Sequence, residues 1–279
     1  MSTLLEVEDL RVTFPTPTGP FQAVRGVSFS LGRERLGIVG ESGSGKSLTG
    51  RAVMGLLPAA AALSAKRLAF DGVDLLRAGT RTLRGLRGCR LSLVLQDPKY
   101  SLNPVMRIGE QIAEAIRMHQ SVSPAAARHR ALEMLEAVRI RDPERVARLY
   151  PHEVSGGMGQ RIMIAMMLAP EPDLLIADEP TSALDVTVQM QVLAILDDLV
   201  AKRGMGLIFI SHDLELVASF CDRVLVMYGG RVMEECRARD LGAATHPYTR
   251  GLLDSLPRID RPREELPTLS RDPAWLGPP

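Results

Sequence analysis

Gly40-Glu41-Ser42-Gly43-Ser44-Gly45-Lys46-Ser47 places a lysine and a hydroxyl behind three glycines at the spacing G-x-x-x-x-G-K-[ST]. The glycines let the backbone curl so that successive N–H groups point inward at phosphate oxygens, and the helix that follows adds the positive end of its dipole. Lys46 then serves the β- and γ-phosphates and the Ser47 hydroxyl serves Mg²⁺, with Leu48 counted in the same binding segment. A second set of chemical groups ends the apolar run Leu174-Leu175-Ile176-Ala177, where Asp178 and Glu179 follow in sequence. Ligands in open α/β sheets bind beyond the carboxyl ends of the strands, so Asp178 is suited to hold Mg²⁺ and Glu179 to accept a proton from attacking water. Alone, an acidic pair after a strand is a helix cap or a solvated turn; its company with Lys46 gives it the catalytic reading.

The elements that must position these groups follow from the hydrophobic pattern. Leu4–Val12, Val24–Leu31 and Leu36–Val39 read as strands, the last ending at Gly40, and a helix is expected from about Lys46 to Leu56. After the strand Leu91–Leu95, the stretch from about 98 to 150 reads as mainly helical; Ser123-Pro124 supplies a cap and a first-turn proline. From Ser155 onward helix 157–168, strand 174–177, helix 186–202 and strand 207–210 alternate, the pattern of a largely parallel sheet. The helical stretch from about 98 to 165 therefore reads as inserted. Strands 223–228 and 231–234 flank Gly229-Gly230, a hairpin signal. From Leu256 onward the prolines favour an extended or disordered tail, so the expected domains are 1–257 and a Pro-rich 258–279.

Composition narrows the function classes. The 279 residues carry 34 Lys+Arg against 33 Asp+Glu, a formal charge of +1, so no net basic field draws the chain to nucleic acid. Lysines occur only at 46, 66, 99 and 202. Three cysteines without CxxC spacing read as reduced, packed thiols. The start lacks the basic and apolar regions of an export signal, and the most apolar runs fall short of a bilayer span.

Between the two chemical sets lies Val154-Ser155-Gly156-Gly157-Met158-Gly159-Gln160-Arg161. With its placement before Asp178, it resembles the LSGGQ signature of ABC (ATP-binding cassette) ATPases, whose serine and glycine amides, here Ser155, Gly156 and Gly157, cap a γ-phosphate from a helix start. Val154 replaces the usual leucine, and Gly159 stands where arginine is frequent. The resemblance implies a P-loop NTPase fold of α/β class: an N-terminal antiparallel β subdomain, a mainly parallel core sheet and an inserted helical subdomain. It implies that Gln96 is the Q-loop sensor linking Mg²⁺ and nucleotide, that Ser182-Ala183-Leu184-Asp185 is the D-loop, and that His212 contacts the γ-phosphate. Phe14, with Phe21 as its alternative, is the candidate adenine-stacking aromatic.

Gln96-Asp97-Pro98, Ser101-Leu102-Asn103-Pro104, Ile108-Gly109-Glu110-Gln111-Ile112 and His246-Pro247-Tyr248-Thr249 resemble the peptide/nickel importer subgroup. That implies ATP and Mg²⁺ as cofactors and a seat on the cytoplasmic face of the inner membrane. The implied partners are two permeases, an extracytoplasmic binding protein and a second ATPase subunit, in a heterodimer rather than a homodimer. Cargo would be di- or oligopeptides, nickel or a metal chelate; a four-cysteine tail suited to an iron–sulfur cluster is missing, which is closer to the shorter nickel type. A non-transport ABC ATPase acting on DNA or ribosomes is the rival reading.

Overall fold

The computed structural model describes residues 3–182, 184–256, 269 and 271–276. They fall into two compact units, one of 1–77 with 209–279 and the other of 78–208. The second takes in the helical stretch 98–165 and extends beyond it on both sides.

The first unit opens with β1 (Leu5–Thr16) and β2 (Gly19–Leu31), a long antiparallel hairpin. Leu5 and Val7 are buried at odd positions, Leu10 and Val12 at even ones. The switch happens at Asp9, whose φ of 50° accompanies a register shift, so one bulge re-aims the apolar face of the strand. β3 (Arg35–Gly40), buried from Leu36 onward, delivers the chain to the phosphate loop, and α1 (Lys46–Val53) leaves it. The helix stops short of the expected Leu56 because Gly55 turns left-handed at φ 62°: its N–H bonds the Ala52 carbonyl and the Leu56 N–H bonds that of Arg51. Between 56 and 70, a stretch without apolar periodicity, β4 (Ala62–Ser64) and β5 (Arg67–Phe70) pair antiparallel with β1, and β6 (Val73–Asp74) pairs with β5. The N-terminal part of the unit is thus an antiparallel sheet.

The second unit begins with α2 (Thr80–Leu86) and β7 (Leu91–Val94). Then come α3 (Ile108–His119), α4 (Pro124–Ala137), α5 (Pro143–Ala147) and α6 (Gly156–Leu168). Ser123 caps α4 by accepting from the Ala126 N–H, with Pro124 in its first turn. β8 (Leu174–Asp178) is buried throughout and runs parallel to β7, with Arg90 and Asp173 ion-paired at 2.7 Å where the two strands begin. α7 (Val186–Arg203) follows, and β9 (Gly206–Ile210) carries the chain back to the first unit.

There α8 (Leu214–Phe220) leads into β10 (Arg223–Tyr228), which pairs parallel with β3, and β11 (Arg231–Arg237), antiparallel to β10. Gly229 and Gly230 join them at φ 53° and 81°, the two positive values of a tight hairpin turn. α9 (Pro247–Asp254) ends the continuous described chain. The expected extended tail is corrected in part: Pro273–Leu276 form a short 3₁₀ turn, because Trp275 finds aromatic partners in Tyr228, Tyr248 and His246. Residues 257–268, 270 and 277–279 lie outside the described residues.

Candidate functional site

In the first unit the phosphate loop is built around its lysine. Lys46, 5% exposed, donates from Nζ to the carbonyls of Gly40 and Glu41, both at 2.8 Å, and stands 3.5 Å from Ser44 Oγ. The loop closes there because Gly40 and Gly45 take φ values of 148° and 96° and have no room for a side chain. A Cβ would lie 2.1 Å from the Met227 carbonyl oxygen at Gly40 and 2.8 Å from that of Ala23 at Gly45. Gly43, at φ 80°, has open space around it. No side chain caps α1 and no acidic residue sits in its first turn, so its N-terminal end is shaped for an anion. These features fit the phosphates of a nucleotide.

The sequence missed a support for this loop. Tyr248, fully buried in α9, accepts a hydrogen bond at Oη from the Glu41 N–H at 3.3 Å. Burial pushes its phenol up to about 12, against the pull of that N–H, so it stays protonated. His246 accepts the Tyr248 N–H at Nδ1 and starts the helix, with Pro247 in its first turn. The His-Pro-Tyr-Thr segment, read from sequence only as a mark of the subgroup, thus anchors the phosphate loop. Arg271 adds an exposed ion pair to Glu41 at 2.7 Å.

The same unit holds His212 and both aromatic candidates. Ser211 donates its N–H to the Ile38 carbonyl, setting the residue before His212 beside β3, and the His212 side chain is exposed. Phe14 and Phe21 face each other across the β1–β2 ladder, Phe14 half-buried and Phe21 60% exposed.

In the second unit three expected residues meet. Gln96 Nε2 donates to Ser182 Oγ at 3.0 Å and approaches Glu179 Oε2 at 3.4 Å, while Ser182 Oγ donates to the Glu179 carbonyl at 3.2 Å. Glu179 takes a left-handed φ of 48°, a conformation that costs a non-glycine residue energy and that Ser182 helps to fix. Asp178, one residue earlier, is buried at the end of β8. Ser182 was legible only as part of the D-loop; its contact with both Gln96 and Glu179 depends on the turn after β8, which carries no sequence periodicity.

The signature segment forms the start of α6. Ser155 caps it, accepting the Met158 N–H at 3.3 Å, and both Ser155 and Gly156 are exposed. A Cβ at Gly156 would meet nothing within 4 Å, whereas one at Gly157 would lie 2.7 Å from Val188 Cγ1 in α7. The second glycine is therefore required by helix packing. Asp185 caps α7 through the Val188 N–H at 3.0 Å. At Gly159 a Cβ would make ordinary contact with Pro98 at 3.5 Å, so nothing there demands glycine.

A phosphate loop between a buried strand and a helix, an acidic pair ending a second strand, and a capped glycine helix start together define an ATP-binding cassette. The family model described as ABC transporter matches residues 24–182, and the chain belongs to that family. It is 48% identical over 277 residues to the oligopeptide transport ATP-binding protein OppD of Salmonella typhimurium, covering 99% of this chain and 82% of that one. To the dipeptide transport ATP-binding protein DppD of Bacillus subtilis it is 46% identical over 282 residues, covering 100% and 84%. Among solved structures, the ATP-binding cassette MJ0796, a post-hydrolysis dimer bound to ADP and Pi, matches with a TM-score of 0.76 at 25% identity, covering 85% of this chain and 99% of that one. CbiO1 from Clostridium perfringens, part of the CbiONQ transporter complex, matches with a TM-score of 0.74 at 25% identity, covering 91% and 96%. The chain has the fold of an ABC ATPase and is an ATPase of that class.

Proposed function

We propose that the chain is the ATP-hydrolysing subunit of a peptide importer, seated on the cytoplasmic face of the membrane against two permeases. The cargo class rests on the relatives, which are named for oligopeptides and dipeptides, and peptide is preferred to nickel. No described helix is long and apolar enough to cross a membrane.

The observation that carries the reading is the glycine cradle around buried Lys46. From the first unit, Gly40 to Leu48 hold the phosphates, with Lys46 on the β- and γ-oxygens and Ser47 offering its hydroxyl to Mg²⁺. Phe14 stacks the adenine and His212 meets the γ-phosphate. From the second unit, Asp178 and Gln96 join in holding Mg²⁺, and Glu179 takes the proton from the attacking water. Mg²⁺, when bound, neutralises charge on the phosphates. No iron–sulfur cluster is part of this proposal.

Ser155, Gly156 and Gly157, with Asp185 nearby in sequence, act on the nucleotide of a second ATPase subunit, in a heterodimer with a sister chain. Support comes from the exposure of Ser155 and Gly156 and from Val186 and Met190, 75% and 58% exposed at the start of α7. An extracytoplasmic binding protein delivers the peptide. Reconstitution with peptide permeases, a sister ATPase and an extracytoplasmic binding protein tests the whole reading. ATP-dependent accumulation of a labelled oligopeptide in vesicles is expected, and ATP hydrolysis without any peptide uptake would overturn it.

A further inference from the structure

Residues 269 and 271–276 return to the phosphate loop from 230 residues further along the chain, within the same unit. Leu269 occupies the space that a side chain at Gly251 of α9 would need, and Leu276 does the same at Gly229, in the turn between β10 and β11. The Trp275 indole lies 5.7 to 6.0 Å, centroid to centroid, from His246, Tyr248 and Tyr228. Asp272 orders the turn, its carboxylate accepting the Ala274 N–H at 2.8 Å and its carbonyl the Trp275 N–H at 3.1 Å. From this seat Arg271 reaches into the loop itself. It donates to both carboxylate oxygens of Glu41, from Nη2 at 2.7 Å and from Nε at 3.4 Å.

Glu41 fills the first variable position of the phosphate-loop pattern, which asks for no particular side chain there. It brings a carboxylate to a loop shaped for anions. Its backbone is held in place, the N–H by Tyr248 Oη at 3.3 Å and the carbonyl by Lys46 Nζ at 2.8 Å, so the acid cannot be carried away from the loop without breaking those contacts. A fixed negative charge at this point repels incoming phosphates unless it is offset. The two-point fork of Arg271 offsets it. The pair is open to solvent, Arg271 at 57% and Glu41 at 30%, so its influence is of the kind that salt screens.

We propose that residues 271–276 form a strap on the phosphate loop and that Arg271 is a positioning residue for the nucleotide, cancelling the Glu41 charge so that the loop accepts phosphate. This rests on the reading of Gly40–Ser47 as the phosphate site. Arg271 acts through Glu41, which holds the guanidinium at the loop, and Trp275 anchors the strap against the aromatic rings of Tyr228 and Tyr248.

The test is the dissociation constant of the full chain for a non-hydrolysable ATP analogue with Mg²⁺, read by equilibrium dialysis at about 0.02 M and about 0.5 M salt, each variant checked for native circular dichroism. Arg271→Gln should raise it about three- to fivefold at the lower salt and less than about 1.5-fold at the higher, and Arg271→Lys should recover most of the loss. In a Glu41→Gln background the guanidinium has neither a charge to cancel nor a partner to hold it, so Arg271→Gln should change affinity by less than about 1.5-fold. Trp275→Ala removes the anchor and leaves the charge, and should give a loss with the same salt dependence. The proposal is overturned by an Arg271→Gln loss that persists at high salt or is equally large beside Glu41→Gln, and by wild-type affinity in folded Arg271→Gln or Trp275→Ala. Lys46→Ala separates the two levels: retained affinity there overturns the phosphate-loop reading, whereas its loss beside unchanged affinity in Arg271→Gln overturns the strap alone.

Discussion

The phosphate loop and the signature segment are both glycine-rich entries to a helix, yet they are finished in different ways. The phosphate loop is closed from within its own unit. Its lysine is 5% exposed and bound to loop carbonyls, two of its glycines are hemmed in by backbone oxygens, and a buried tyrosine from α9 holds Glu41. The signature segment is closed on its inner side, where Gly157 packs on Val188; Ser155 and Gly156 are exposed, and a Cβ at Gly156 would meet nothing within 4 Å among the described residues. One loop is held closed within its own unit, and the other is a helix end left exposed. That difference is what the proposed division of the site between two subunits requires.

Substitutions in the two loops should therefore fail differently. Lys46→Ala should show the largest effect: ATP affinity, read by equilibrium binding, is expected to fall about a hundredfold or more because two charge-assisted contacts to phosphate are lost. Ser155→Arg should leave ATP binding within a few-fold but reduce steady-state hydrolysis by more than about tenfold, and normal turnover would contradict a shared site. The two signature glycines should separate by stability. Gly157→Ala, forced against Val188, is expected to lower unfolding free energy by about 1–3 kcal/mol in urea titration, while Gly156→Ala changes it by less than about 1.

A modest effect is expected at Tyr248→Phe, which deletes one neutral acceptor and should weaken ATP binding by about 0.5–1.5 kcal/mol without loss of fold. That variant also has a pH signature. The phenol, raised from 10 to about 12 by burial, contributes stability that is complete below pH 10 and lost as pH rises through about 12. Thermal unfolding of the phenylalanine variant should lack this component of the alkaline decline.

Most of the candidate site was legible because it sits on local patterns. Gly40 to Ser47 follows an apolar strand and precedes a helix, and Asp178 and Glu179 end another. The Ser123-Pro124 cap and the Gly229-Gly230 turn are as short-range, and both stand as read. Less legible were the short strands β4 to β6, each of two to four residues and so too brief to show a period. The role of Tyr248 was hidden for a different reason: it acts on Glu41 from 207 residues further along the chain. Trp275 likewise gains its ordered turn from partners at 228, 246 and 248, which the prolines around it do not announce.

Glu179, the proposed base, is the residue on which binding and turnover should part company. Its backbone is fixed by Ser182 and its carboxylate lies beside Gln96, so Glu179→Gln keeps the shape of the turn and removes the proton acceptor. In the assembled transporter this variant should bind ATP with unchanged affinity and lose steady-state hydrolysis by about a hundredfold or more. Unchanged turnover in a variant that still binds ATP would contradict the assignment of Glu179 as the base.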